Sequence, residues 1–213
     1  MMNKLPLVVA GSGGHASVVI DIIELMGTYE IVGITTQETN VDHFQGYPIF
    51  GNDGELRKLF KQGIQHAAIG VGGYSDNKRR KLVYSHIKGL GFNVINAIHP
   101  SAIIARNVLM GEGNVFCAGV MINPGVVIGD NVVLVTGAIV DHETIIDDHV
   151  LIAGGVSIGA NVHIQKEAFL AIGSTVVSGK VVGGKSLVAA GAVVVKDVDP
   201  GVTVMGVPAK VVK

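Results

Sequence analysis

The sequence contains no tryptophan and only one cysteine, Cys117, among its 213 residues. A single thiol excludes both an intramolecular disulfide and a Cys-x-x-Cys metal site. Charge is also scarce, with 16 Lys plus Arg against 17 Asp plus Glu and a net charge of -1. A surface that binds nucleic acid needs clustered cations and aromatic stacking platforms, whereas this chain has six Phe and four Tyr. These scarcities argue against nucleic acid as a partner.

Long apolar runs are absent as well, although the mean hydropathy is +0.50. Gly, Asp and Asn interrupt every candidate segment before it reaches the roughly 18 apolar residues that a membrane-spanning helix requires. We therefore expect no membrane span. Because proteins of oxidising compartments often carry disulfides and this chain has a single cysteine, we expect a cytoplasmic location.

Valine, isoleucine and glycine are abundant instead, with 35 Val, 22 Ile and 30 Gly. β-branching restricts χ1 in a helix, and Gly costs about 1 kcal/mol relative to Ala there. This composition favours β-structure with many turns.

Residues 1–97 alternate between apolar strands and amphipathic helices, which is typical of a Rossmann-like domain with a parallel sheet. The predicted strands are residues 5–10, 30–34, 66–71 and 92–95, and the predicted helices are residues 16–26, 53–61 and 76–88. The inward side of the first helix is expected to carry Val18, Val19, Ile22, Ile23 and Leu25. The third helix is expected to be a basic surface helix.

From Ala102 the period is six residues, and it continues without interruption through sixteen hexads to Asp197. The third place of every hexad is a large apolar residue: Ile104, Met110, Phe116, Ile122, Ile128, Leu134, Val140, Ile146, Ile152, Ile158, Ile164, Leu170, Val176, Val182, Val188 and Val194. The sixth place is Gly in eight hexads and Asn in three, residues that accept the left-handed backbone angles of a corner. Residues 98–213 are therefore predicted to form a β-helix of a little over five coils, with three hexads in each coil.

Several motifs resemble a known family. Hexads such as Val-Val-Ile-Gly-Asp-Asn at residues 126–131, and the closing Gly-Val-Pro-Ala-Lys at 206–210, look like those of the left-handed β-helix acyltransferases of the hexapeptide-repeat superfamily. Gly-Ser-Gly-Gly-His at 11–15 and Asp-His-Glu at 141–143 make nearly the whole chain similar to the bacterial sugar acetyltransferases of the NeuD and PglD type. The resemblance implies an enzyme that uses acetyl-CoA.

His142 and Glu143 occupy the fifth and sixth places of their hexad, so both are expected at an accessible corner. Acetyl transfer to an amine or hydroxyl needs a base that takes the proton of the nucleophile. Glu143 stands where Gly or Asn is usual, and such departures tend to mark functional sites. An exposed corner also tolerates charge, as Glu167 and Lys185 show at equivalent places. The resemblance implies that His142 is the general base and that Glu143 makes it more basic.

The glycine-rich segment at residues 11–15 follows a strand and precedes a helix, where free N–H groups and the helix dipole favour a phosphate. It also suits a tight connection without a ligand, and Ser17 departs from the full dinucleotide fingerprint. The resemblance implies that Gly13, Gly14 and His15 contact the diphosphate of a nucleotide-linked sugar, with Gly72 in the same pocket. Thr35 and Thr36 stand where the family often has an acidic pair, which leaves recognition of the ribose or base open.

By the same resemblance, acetyl-CoA lies between neighbouring subunits of a homotrimer with three sites. The positions that match its contacts are Leu151, Ile172 and Ala190. Leu151 replaces a His found in some members.

The three histidines of the repeat, His142, His149 and His163, raise the alternative of a zinc site. No two of them share a position on the coil, so no metal is expected. Cys117 stands among small residues and is expected to fill space rather than act as a nucleophile.

These observations predict an acetyl-CoA-dependent N-acetyltransferase that acts on the amino group of a nucleotide-linked sugar of the UDP-4-amino-4,6-dideoxyhexose type. The amine attacks the thioester directly, with His142 as base. One alternative is a sialic acid O-acetyltransferase that uses the same base on a hydroxyl. The other is a nucleotide-sugar-binding scaffold without catalytic activity.

Overall fold

The structure, a computed structural model, describes residues 4–38, 41–73 and 76–212. They divide into two compact units. The first comprises residues up to 73 together with 78–100, and the second comprises residues from 101 onward together with Asp76 and Asn77. No helix in the described part of the chain combines the length and the apolar character needed to cross a membrane.

The first unit is a Rossmann-like α/β domain, as predicted. Its strands are β1 (Leu5–Ala10), β2 (Tyr29–Thr35), β3 (His43–Phe44), β4 (Tyr47–Gly51), β5 (His66–Ile69) and β6 (Asn93–Val94), and a further short strand spans Ala97–Ile98. Its helices are α1 (Gly14–Met26), α2 (Leu56–Lys61) and α3 (Lys78–Gly89), with a 3₁₀ turn at Asp53–Glu55 before α2. The sheet order is β3-β4-β2-β1-β5-β6, parallel except for the β3–β4 hairpin.

Three details of this unit differ from the expectations. Val18 and Leu25 are 41% and 53% exposed, because the buried stripe of α1 is formed by Ala16, Val19, Ile20, Ile22 and Ile23. Arg80 lies on the predicted surface helix but is fully buried. The helix predicted at residues 53–61 begins instead as a 3₁₀ turn, where the Asn52 side chain accepts from Gly54 N–H.

The second unit is the predicted left-handed parallel β-helix, built from strands of two residues, and one of three, on three faces. The first face contains Ile103–Ile104, Met121–Ile122, Ile139–Val140, Ser157–Ile158, Thr175–Val176 and Val193–Val194. The second contains Leu109–Met110, Val127–Ile128, Ile145–Ile146, His163–Ile164 and Val181–Val182. The third contains Val115–Phe116, Val133–Leu134, Leu151–Ile152, Phe169–Leu170, Leu187–Val188 and Thr203–Met205, with Lys210–Val211 antiparallel to the last of these.

In the repeat up to Val194 each paired residue lies 18 positions from its partner, for example Met121 opposite Ile139 and Ile139 opposite Ser157, whereas Leu187 pairs with Thr203, 16 positions later. The third-place side chains form the core, and all are buried except Ile104 and Met110 in the first hexads. At the sixth places, every residue from Gly113 to Gly191 has a positive φ. The left-handed corner therefore recurs at every hexad from the second to the fifteenth, including those that carry charged or His side chains.

Candidate active site

His142 and Glu143 lie on one edge of the β-helix, where the corners of successive coils stack. The 18-residue register places Asn107, Gly125 and Glu143 one after another along this edge. Backbone hydrogen bonds connect the coils along this edge. Glu143 N–H donates to Pro124 O at 3.1 Å, and Asn161 N–H donates to His142 O at 3.0 Å. The backbone of the pair is therefore held from both neighbouring coils.

An open depression of about 500 Å³ lies on this edge. It is lined by Asn107, Asn123, Pro124, Gly125, His142 and Glu143. The side chains of His142 and Glu143 are 51% and 66% exposed, as expected for corner residues. The depression spans three successive coils, so its lining comes from residues that are distant in sequence.

Glu143 adopts a left-handed backbone (φ 56°), which turns its side chain beside that of His142. Its Oε2 lies 3.9 Å from Nδ1 of His142. This separation is longer than a hydrogen bond but within reach of an ion pair with a protonated imidazole. Gly125 leaves room for this arrangement, because a Cβ there would lie 3.2 Å from Cγ of Glu143.

Asp141 is the third polar group of the segment. Its Oδ1 accepts from Asn123 Nδ2 and from the backbone N–H of His142, both at 2.8 Å. These bonds, first the one from Asn123 and then the one from His142, hold the pKa of Asp141 below its ordinary value. Asp141 therefore stays ionised and ties the backbone of His142 to the preceding coil.

The glycine turn connects β1 to α1 at the carboxyl ends of the parallel strands. Ser17 N–H donates to Gly13 O at 3.3 Å and closes the first turn of α1, so the N–H groups before it have no acceptor within the helix. A Cβ at Gly13 or Gly14 would meet no atom within 4 Å. The turn therefore borders open space, as an anion site at a helix N-terminus requires.

His15 is a half-buried imidazole next to this turn. Arg80 Nη1 lies 3.3 Å from His15 Nε2 and also donates to the carbonyls of Ile69 and Val71. Because a guanidinium only donates, Nε2 is the acceptor and the ring proton resides on Nδ1. Burial, reinforced by the charge of Arg80, lowers the pKa of His15 to about 3.

Gly72 packs against the ring of His15. A Cβ at position 72 would lie 3.0 Å from Cβ and 3.2 Å from Cγ of His15. The structure therefore brings Gly72 and His15 together beside the glycine turn.

The three positions matched to acetyl-CoA are separated on the β-helix. Leu151 is 5% exposed on the third face, whereas Ile172 is 65% exposed and Ala190 is also exposed. Ile172 and Ala190 are fifth-place residues one coil apart on one edge, and His142 is a fifth-place residue on another edge. One chain alone therefore does not bring His142 and these two residues to the same edge.

The remaining histidines of the repeat have partners other than a metal. His163 Nε2 lies 3.0 Å from Asp147 Oδ1, and His149 Nδ1 lies 3.1 Å from Asn131 Nδ2. Within residues 4–38, 41–73 and 76–212, no group of three or more His, Cys, Asp or Glu side chains is arranged to hold a metal ion. Cys117 is buried.

Sequence reasoning did not identify Asn123, Asn107 or Arg80. The repeat carried a signal for the first two, because subtracting 18 from Asp141 gives Asn123 and subtracting 36 from Glu143 gives Asn107. Arg80 had no such signal, since it stands in a basic segment whose other side chains suggested a surface helix. Only the folded domain shows that Arg80 is buried against His15.

Comparison with known proteins identifies a family for the first unit and relatives of the whole chain. Residues 6–87 match the family described as the PglD N-terminal domain. Over 116 residues the chain is 29% identical to UDP-N-acetylbacillosamine N-acetyltransferase of Bacillus subtilis (strain 168). That match covers 52% of this chain and 50% of the relative, so the chain spans about half the length of this curated relative.

Two solved structures are similar over almost their entire length. A histidine-to-alanine variant of GDP-perosamine N-acetyltransferase from Caulobacter crescentus, in complex with CoA and GDP-perosamine, is 33% identical with a TM-score of 0.92, covering 100% of this chain and 98% of that one. The acetyltransferase domain of PglB from Neisseria gonorrhoeae FA1090, in complex with acetyl coenzyme A, is 30% identical with a TM-score of 0.91, covering 99% and 100%.

Proposed function

The chain belongs to the bacterial sugar acetyltransferases of the NeuD and PglD type, and on that basis we propose that it transfers an acetyl group from acetyl-CoA to the amino group of a nucleotide-linked amino sugar, of the UDP-4-amino-4,6-dideoxyhexose type. The observation that carries this proposal is the exposed His142–Glu143 pair beside an open depression. The names of the relatives support it, since both GDP-perosamine N-acetyltransferase and UDP-N-acetylbacillosamine N-acetyltransferase modify nucleotide-linked sugars on nitrogen.

In the proposed reaction the sugar amine attacks the thioester carbonyl directly. A nitrogen–carbon bond forms, the carbon–sulfur bond breaks, and the electron pair leaves with the sulfur of CoA. His142 takes a proton from the amine nitrogen, and that proton is delivered to the departing thiolate. Because Nδ1 of His142 faces Glu143, Nε2 is the nitrogen directed at the amine.

Glu143 and Asp141 support the base in different ways. The Glu143 carboxylate, 3.9 Å from Nδ1, stabilises the imidazolium that forms when His142 takes the proton. Asp141 is a positioning residue, because its carboxylate binds the backbone N–H of His142 and the side chain of Asn123.

The sugar nucleotide binds in the first unit, with its diphosphate at the glycine turn. Gly13 and Gly14 allow close approach of the phosphates to the first N–H groups of α1. His15 donates to a phosphate oxygen through Nδ1–H, the tautomer set by Arg80. Gly72 keeps the space beside the His15 ring free of a side chain.

Acetyl-CoA binds in a groove between neighbouring subunits of a homotrimer, in contact with Leu151, Ile172 and Ala190. Two observations support an assembly. His142 and Ile172 lie on different edges of one chain, so only a neighbouring chain can bring such edges together. The first coils also expose apolar side chains on two faces, at Ile103, Leu109, Met121, Val127 and Ile145.

A substrate screen tests this function. Purified protein is incubated with acetyl-CoA and either UDP-4-amino-4,6-dideoxyhexose, its GDP counterpart or free sialic acid, while free thiol and acetylated product are measured. We expect N-acetylation of a nucleotide-linked amino sugar. Turnover only on the hydroxyls of sialic acid would identify an O-acetyltransferase instead, and no turnover with any acceptor would support a binding scaffold.

A further inference from the structure

The glycine turn and the end of β2 lie side by side at the carboxyl edge of the first sheet and are hydrogen-bonded to each other. Gly11 N–H donates to Thr35 O at 2.7 Å, and Ser12 Oγ lies 2.5 Å from Thr36 Oγ1. Ser12, Thr35 and Thr36 are all buried. A nucleotide whose phosphates lie at the glycine turn would therefore place its nucleoside near the end of β2.

In nucleotide-binding sheets of this kind, an acidic side chain near the end of the second strand accepts a hydrogen bond from a ribose hydroxyl. Here β2 ends at Thr35 and Thr36 follows it, and neither side chain carries a charge. A carboxylate nevertheless reaches this place from another element. Asp53 Oδ1 accepts from Thr35 Oγ1 at 2.8 Å, and Asp53 Oδ2 accepts from Gln37 Nε2 at 3.1 Å.

The topology explains how Asp53 arrives there. β4 pairs with β2 in parallel, so both strands end at the same edge of the sheet. Thr36 N–H donates to Gly51 O at 2.8 Å and ties the two strand ends together. Asp53 lies two residues beyond the end of β4, in the 3₁₀ turn that Asn52 caps.

The Asp53 carboxylate retains capacity for a ligand. Each carboxylate oxygen has two acceptor sites, and Thr35 and Gln37 each use one. Those two donors also fix the orientation of the carboxylate. Asp53 is half-buried and Gln37 is exposed, so the site borders solvent.

We propose that Asp53 binds the ribose hydroxyls of the sugar nucleotide and that the substrate is accordingly a ribonucleotide derivative, carrying UDP or GDP, rather than a 2′-deoxyribonucleotide derivative. This inference rests on the proposed function. The loss of an acidic pair from β2 is compensated by a carboxylate supplied from the turn after β4.

Calorimetry on the full chain tests the inference with UDP, GDP and the 2′-deoxy form of each. The variants are Asp53→Asn and, as a matched control, Glu55→Gln, which removes a carboxylate of the same turn that pairs with Lys58 at 3.6 Å. We expect the wild type and Glu55→Gln to bind the preferred ribonucleotide about 10-fold to 100-fold more tightly than its 2′-deoxy form, as for a hydrogen bond to a charged group. Asp53→Asn should bring this ratio close to one by weakening the ribonucleotide much more than its 2′-deoxy form, which lacks one of the two hydroxyls.

Two results would overturn the inference while leaving the proposed function intact. One is equal affinity of the wild type for the ribonucleotide and its 2′-deoxy form, a result that needs no variant and so does not depend on whether Asp53→Asn folds. The other is an unchanged ratio in a folded Asp53→Asn protein. If the wild type binds neither UDP nor GDP in either form, the proposed function itself fails, and the inference fails with it.

Discussion

At the residue scale, His15 shows how a buried partner decides the chemistry of a side chain. Arg80 donates to its Nε2, and partial burial limits the contact of the ring with water. Both effects oppose a second proton on the ring. The imidazole is consequently a neutral donor through Nδ1 at the pH of the cell, suited to a phosphate oxygen without adding a charge to be neutralised.

The low pKa of His15 predicts a pH-dependent stability. In the unfolded chain the pKa is near 6.5, whereas in the folded chain it is about 3. Between these values the unfolded chain binds the extra proton, so the free energy of unfolding falls as the pH drops from 6.5 toward 3. One such group contributes a slope of at most about 1.4 kcal/mol per pH unit.

Urea unfolding at pH 7, 6 and 5 measures this slope. We expect His15→Asn to lose part of the wild-type pH dependence, because it removes the titrating ring. His43→Asn, at an exposed His of the same unit, should retain it. Identical pH dependence in the wild type and His15→Asn would contradict the assignment of a neutral His15 with a lowered pKa.

At the element scale, the β-helix was predictable because the same six-residue pattern of buried and corner residues recurs in every coil. The third-place side chains are buried and the sixth-place corners recur, so the sequence alone located His142 and Glu143 at an exposed corner. The first unit lacks such a period. The buried stripe of α1 and the burial of Arg80 depend on what packs against each helix, which local propensity does not encode.

The glycine turn between β1 and α1 provides an element-scale test of the proposed diphosphate site. Gly13 has an extended backbone (φ -92°), and a Cβ there meets no protein atom within 4 Å. Gly13→Val should therefore leave the fold intact while blocking the approach of a phosphate. We expect weaker binding of a UDP-sugar and unchanged binding of acetyl-CoA, measured by calorimetry.

Gly89→Val serves as the control for this substitution, because a Cβ at Gly89 also meets open space and lies in α3, away from the turn. It should bind both ligands like the wild type. Equal loss of both ligands in Gly13→Val would indicate a disturbed fold, and unchanged affinity for both would refute the diphosphate site.

At the scale of the whole molecule, the β-helix separates its proposed functional groups by edge. His142 lies on one edge, and Ile172 and Ala190 lie on another. A rigid β-helix cannot bring these edges together within one chain, so we predict active sites that are shared between subunits. Sedimentation at micromolar concentration should show a trimer, and a monomer alone would contradict the proposed assembly.

Mixed assemblies test the shared site directly. His142→Ala removes the base, and Ile172→Glu places a charge where acetyl-CoA is proposed to bind. Each variant alone should be nearly inactive. When the two are refolded together, some trimers combine the intact His142 of one chain with the intact Ile172 of another, so activity should reappear. A mixture no more active than its components would contradict a site that combines two chains.

The rate of CoA release by His142→Ala, with acetyl-CoA and the amino-sugar nucleotide identified in the screen, decides whether His142 is the general base. Loss of a general base acts on the chemical step, so turnover should fall by about 10²-fold to 10⁴-fold while the affinity for acetyl-CoA stays close to that of the wild type. Glu143→Ala should lower turnover by a smaller factor, since it removes only the carboxylate that stabilises the imidazolium. Near-normal turnover by His142→Ala would show that the base lies elsewhere.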